Sequence, residues 1–195
     1  MRIVCLGDSI TYGYGLTNRS DRWTDLVMAR TGHELINCGV SGDTTAGMLL
    51  RCREDVLPLE PDAVILLGGT NDINITGEYR TACVNMVAIL KQLAIRDIKP
   101  IMGLSLPMVA EDITARSWDW ERDNYRNAAV CEQYVRWLTC YREEKSMPIA
   151  DFHGAFLQKD QVVCKELFQD GIHPTAEGHR RMADVLCALL QELTI

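Results

Sequence analysis

Five consecutive apolar residues, Ala63-Val64-Ile65-Leu66-Leu67, constrain the fold of this chain more than any other stretch. A strand with one wet face alternates apolar and polar residues. This run does not, so both of its faces need cover. Pro61-Asp62 leads into it and Gly68-Gly69-Thr70-Asn71-Asp72 ends it abruptly. Residues 3–6, 34–38, 100–104 and 147–150 read as further strands. Between them lie helical patterns over about 23–30, 78–96, 127–144 and 175–193. The second of these puts Cys83, Val87, Leu90 and Ala94 on one face, and the third does so with Cys131, Tyr134, Leu138 and Tyr141. The last carries Met182, Val185, Leu186, Leu189, Leu190 and Leu193 as a stripe, with Pro174 expected in its first turn. Asp43 or Thr44 suits the cap of a helix after the second strand. Strands alternating with helices predict an α/β sandwich built on a mostly parallel sheet. The 195 residues show no linker, repeat or low-complexity tract and read as one domain.

Charge and cysteine usage narrow the partners. A net charge of −7, with no basic run, argues against nucleic acid, whose phosphates need clustered Lys and Arg. No stretch has the length of a membrane span or the pattern of a basic amphipathic helix, so no stable membrane association is expected. The N-terminus has no signal-peptide pattern, and a cytoplasmic location is the expectation. The eight cysteines form no C-x-x-C pair and have no histidine at zinc spacing. Several occupy apolar positions, where a reduced cysteine acts as a small hydrophobe.

The chemistry gathers where strands end, because loops at the carboxyl ends of parallel strands are the ones free to meet a ligand. Ser9 follows the first strand in Gly7-Asp8-Ser9, Gly39 follows the second in Asn37-Cys38-Gly39, and Asn71 follows the third. A hydroxyl, a glycine N–H and a carboxamide on one rim supply a nucleophile and two donors for a developing oxyanion. A serine nucleophile needs a base. Of the four histidines, His33 falls at the opposite rim, and His179, beside Arg180 and Arg181, reads as a solvated helical position. His153, after the fifth strand, and His173, in Asp170-Gly171-Ile172-His173-Pro174, both remain candidates. Asp170 is three residues before His173, close enough in a tight turn to fix its tautomer. Asp8 and Asp72 flank the proposed groups and read as turn-holding carboxylates.

Four blocks, Gly7-Asp8-Ser9, Asn37-Cys38-Gly39, Gly69-Thr70-Asn71-Asp72 and Asp170-Gly171-Ile172-His173, resemble those of the SGNH hydrolases, also called the GDSL esterase/lipase family. They stand in the family's order and span nearly the whole chain. The resemblance implies a flavodoxin-like three-layer α/β/α sandwich with a five-stranded parallel sheet, and hydrolysis of a carboxylic ester or thioester. It implies Ser9 as nucleophile, His173 as general base and Asp170 as its orienting acid. The Ser9 N–H, the Gly39 N–H and the Asn71 side chain would form the oxyanion hole. The scheme needs no metal and no cofactor, and no phosphate-cradling or dinucleotide motif occurs. The G-x-S-x-G elbow of α/β-hydrolases is also missing.

The expected partner is a small-molecule ester. Residues 105–123, with Pro107, Met108, Val109, Trp118 and Trp120, lie on the active rim. They suit an acyl pocket or sugar platform as well as plain packing onto the domain. Short acyl esters, such as an acetylated sugar, lead the expectation. A longer-chain thioesterase or lysophospholipase is second, and a non-catalytic ligand-binding module on the same fold third.

Overall fold

The computed structural model describes residues 1–114 and 123–193, so the expectations for Trp118 and Trp120 lie outside the described residues. The chain begins with β1 (Arg2–Gly7) and α1 (Ser9–Tyr12), then α2 (Trp23–Thr31), β2 (Glu34–Gly39) and α3 (Thr45–Arg51). Next come β3 (Ala63–Leu67), α4 (Thr70–Thr76), α5 (Arg80–Ala94) and β4 (Lys99–Gly103). The last elements are α6 (Asn124–Lys145), β5 (Ile149–Ala150) and α7 (Ala176–Glu192). The five strands are parallel, in the order β2-β1-β3-β4-β5. That is the flavodoxin-like order, whose connections reverse direction between β1 and β3.

Strand alternation builds two separate cores. Val4, Leu6, Val64, Leu66 and Met102 point to the side holding Met48, Met86, Ile89, Leu93, Tyr134 and Leu138 of α3, α5 and α6. Ile3, Cys5, Ile65, Leu67 and Ile101 point to the side holding Trp23 and Val27 of α2 and Met182, Leu186 and Leu190 of α7. All five residues of β3 are buried, which is why the run carries no polar residue. All eight cysteines are unpaired thiols, five of them buried.

Several elements depart from the sequence reading. The helix expected over 78–96 is α5, and a further short helix that was not expected, α4, precedes it, ended by Gly77 in the left-handed region at φ +68°. The buried face of α5 is Ala82, Met86, Ile89 and Leu93 with Cys83, one position from the expected stripe, and Ala94 is exposed. Thr44, not Asp43, caps α3, accepting a bond from the Gly47 N–H. Pro174 lies before α7 rather than in its first turn, since Thr175 is the cap and accepts from the Gly178 N–H.

Register decides where the site lies. Gly7, the last residue of β1, pairs with Gly39 on one side and Leu67 on the other. Three neighbouring strands therefore stop at one level, and the turns after them open side by side.

Candidate active site

Gly7 has no room for a side chain, because a Cβ there would lie 2.3 Å from the Thr11 hydroxyl and 2.7 Å from the Leu67 carbonyl. The chain passes through this gap and turns at once into α1. Asp8 caps that helix, its Oδ1 accepting the Ile10 N–H at 2.9 Å. Ser9 is the first helical residue, where the backbone N–H has no partner within the helix. Its side chain is nearly buried, and Oγ lies 3.0 Å from His173 Nε2.

His173 arrives from the other end of the chain. Gly171, at φ +82°, folds the 170–173 turn so tightly that Asp170 Oδ1 accepts both the Ile172 and the His173 N–H, at 3.1 and 2.8 Å. The second oxygen, Oδ2, lies 2.7 Å from His173 Nδ1. A carboxylate can only accept there, so the network assigns the proton to Nδ1 and leaves the Nε2 lone pair for the Ser9 hydroxyl. Burial raises the Asp170 carboxyl, but the His173 backbone and ring N–H groups and the Ile172 N–H outweigh it. The group ends below its ordinary value and stays ionised at neutral pH. The turn is anchored to the segment after β4, where the Val109 N–H donates to the Gly171 carbonyl at 2.9 Å.

The other two strand ends supply the facing wall. After β2, Val40-Ser41-Gly42-Asp43 makes a turn in which the Asp43 N–H returns to the Val40 carbonyl at 3.1 Å and Gly42 takes φ +81°. Asn71, the second residue of α4, reaches this turn, its Nδ2 donating to the Asp43 carbonyl at 2.8 Å. Its neighbour Asp72 accepts the Thr45 N–H at 2.9 Å and the Thr45 hydroxyl at 2.6 Å. Arg51 completes the frame, pairing with Asp43 Oδ2 at 2.7 Å and donating to the Gly7 carbonyl at 2.8 Å. Asp8 and Asp72 thus hold turns, as their positions suggested.

The structure thus brings Ser9, His173 and Asp170 into one chain of contacts and sets Asn71 on the turn beside β2. It does not support Gly39 as an oxyanion donor. The Gly39 N–H is taken by Asn37 Oδ1 at 3.0 Å, and a Cβ on Gly39 would lie 2.2 Å from the Tyr12 nitrogen. Gly39 packs the end of β2 against α1 instead. A candidate donor that the sequence reading did not name is Gly42, whose N–H meets no acceptor among the described residues and sits in the turn that Asn71 grips. Its signal was a glycine beside Asp43 in a strand-to-helix turn, where a positive φ is needed.

The remaining histidines take other work. His153 is buried, with Nδ1 2.9 Å from the Ser105 carbonyl and Nε2 3.4 Å from Glu132, so both ring nitrogens are occupied away from Ser9. His179, expected in solvent, is fully buried, and its Nδ1 accepts the Trp23 N–H at 3.3 Å. Burial, with the Arg22 charge, holds it down at about 4, so it is neutral at physiological pH. His33 lies 3.5 Å from the N-terminal amine, at the start of β2 and the opposite rim.

Comparison with known proteins finds relatives both in sequence and in fold. An acetylxylan esterase of Xylanibacter ruminicola is 25% identical over 98% of this chain, which spans only 43% of that longer protein. A second acetylxylan esterase, of Geobacillus stearothermophilus, is 27% identical over 80% of this chain and 72% of its own length. In fold, a member of the lipolytic protein G-D-S-L family from Veillonella parvula superposes with a TM-score of 0.80 at 23% identity, covering 98% of both chains. The GDSL-like lipase/acylhydrolase family model matches residues 5–181. This chain belongs to the GDSL-like lipase/acylhydrolase family.

Proposed function

We propose that the protein is a serine ester hydrolase working through an acyl-enzyme, with acetyl or similarly short acyl groups on a sugar or other small alcohol as substrates. The observation that carries this reading is the unbroken run of contacts from Ser9 Oγ through His173 to Asp170. In the first step Ser9 Oγ attacks the acyl carbon as His173 Nε2 takes its proton. The carbonyl π electrons move onto oxygen, and the Ser9 N–H, the Asn71 Nδ2–H and the Gly42 N–H are the donors proposed for that oxyanion. As it collapses, the bond to the alcohol breaks and the alcohol oxygen takes the proton back from His173. In the second step water attacks the acyl-Ser9 ester while His173 again receives a proton. Collapse then frees the acid and returns the proton to Ser9. Asp170, ionised throughout, balances the imidazolium in each half.

The short-acyl preference rests on the two acetylxylan esterase relatives. The test is hydrolysis of p-nitrophenyl esters from acetate to palmitate by wild type and Ser9→Ala. Turnover concentrated on the shortest chains and lost in the variant is the expected result. Rates that climb with chain length would move the substrate to a fatty acyl ester or thioester. Turnover that survives in the variant would remove Ser9 as nucleophile. A wild-type protein that neither turns over these esters nor is labelled on Ser9 by a phosphonate would be a binding module.

A further inference from the structure

The loop after α1 presents one aromatic side chain to the base, and the chain goes to some length to do so. Gly13 and Gly15, on either side of Tyr14, both take left-handed backbone, at φ +83° and +80°. Neither has space for a Cβ, which would lie 2.5 Å from Arg22 Cγ at the first and 2.2 Å from Gln169 Oε1 at the second. The Tyr14 N–H donates to the Ser9 carbonyl at 3.0 Å, tying it to the residue that bears the hydroxyl. Its own carbonyl accepts from Gln169 Nε2 at 3.3 Å, and the Gln169 N–H donates to the His173 carbonyl at 2.8 Å. Tyr14 is thus held by both halves of the site at once. Its ring lies against the His173 imidazole, with centroids 4.5 Å apart and planes inclined at 43°. Tyr14 is 44% exposed, so it is not a core residue that happens to touch the histidine.

On the serine-hydrolase reading above, we propose that Tyr14 is a positioning residue that keeps the His173 ring in place after the bond to Ser9 is gone. In the free enzyme His173 is fixed at both edges, by Ser9 and Asp170. Once Ser9 carries the acyl group, its oxygen has no proton to share, and only the Asp170 edge remains. A single edge contact allows the ring to tilt about that bond, and a face contact opposes the tilt. The second half of the reaction, in which His173 must hold a water in line with the acyl carbon, therefore depends on Tyr14 more than the first.

The experiment compares wild type, Tyr14→Ala and Tyr14→Phe by stopped-flow release of p-nitrophenol from the acetate ester, with phosphonate labelling of Ser9 and thermal melts alongside. Tyr14→Ala should slow steady turnover about tenfold while the labelling rate stays within about twofold. A pre-steady-state burst should appear as acyl-enzyme accumulates. Tyr14→Phe, which keeps the ring face, should restore the wild-type pattern. The proposal is overturned if Tyr14→Ala turns over at the wild-type rate, or if labelling and turnover fall equally with a lowered melting temperature. It is also overturned if Tyr14→Phe is as slow as Tyr14→Ala, because the hydroxyl would then be the active part. A wild-type Ser9 that resists labelling would overturn the serine-hydrolase reading itself, a result distinct from all of these.

Discussion

Asp8 stands next to the hydroxyl-bearing Ser9, only 1% exposed, and has no basic partner among the described residues. Burial raises its carboxyl most, the Ile10 N–H opposes, and the charges of Asp43 and Asp72 raise it further, to about 7. An acid whose folded value lies above its ordinary 3.8 binds its proton more tightly in the folded chain. The stability it confers is complete below 3.8 and is lost as pH rises through about 7. Asparagine at this position keeps an oxygen for the Ile10 N–H and has nothing to ionise. Asp8→Asn should therefore match wild type in melting experiments at about pH 3, where both states of the acid are protonated, gain on it as pH rises, and exceed it by on the order of 1–4 kcal/mol at about pH 8. A difference between the two proteins that does not change with pH would refute this origin. At this scale the sequence was informative about side chains and silent about backbone groups. Ser9 and the Asp170-to-His173 spacing were legible because a strand end and a tight turn leave few geometries. Gly39 and Gly42 were not separable, since only the direction of the Asn37 side chain shows which N–H is already taken. His179 misled because flanking arginines describe their own faces of a helix, and the next residue points about 100° away.

Between elements, the pieces that matter most are side chains that lock one strand end to another. Arg51, at the end of α3, joins the Asp43 turn to the Gly7 carbonyl of β1, with both partners of the ion pair largely shielded from water. Arg51→Met keeps the length of the side chain and removes both bonds, freeing the turn that carries Gly42 from the strand that delivers Ser9. Steady-state kinetics should show kcat down by about tenfold with KM little changed, as expected for misplaced reacting groups. An unaltered kcat would show that Asn71 and Asp72 hold the turn unaided. The strands and the longer helices were readable in type and order, but the short helices and the buried faces were less so. In α5 two adjacent stripes, 82/86/89/93 and 83/87/90/94, are almost equally apolar. The choice between them is made by Val64 and Leu66 across the sheet, and no local pattern contains that information. The short helix α4 escaped because its seven residues, closed by Gly77, are too few to show an apolar period.

For the molecule as a whole, β3 is the shared wall of two cores. Ile65 is fully buried on the α2/α7 side, with Leu66 fully buried on the other. Ile65→Ala should destabilise the fold by about 2–5 kcal/mol, read from urea unfolding, because neither layer can close the gap without leaving the sheet. A loss below about 1 kcal/mol would mean that the α2/α7 layer shifts freely over the sheet. Order along the chain carries a further consequence. The Ser9 hydroxyl meets a base 164 residues later, on a loop that leads directly into α7. The contact between Ser9 and His173 is thus a report on the closure of the whole fold, because it forms only when the loop leading into α7 is brought back to the end of β1. On the proposed mechanism, a fold in which α7 has not docked against α2 holds Ser9 without its base, so partial unfolding at this one helix would silence the site while the sheet remains intact.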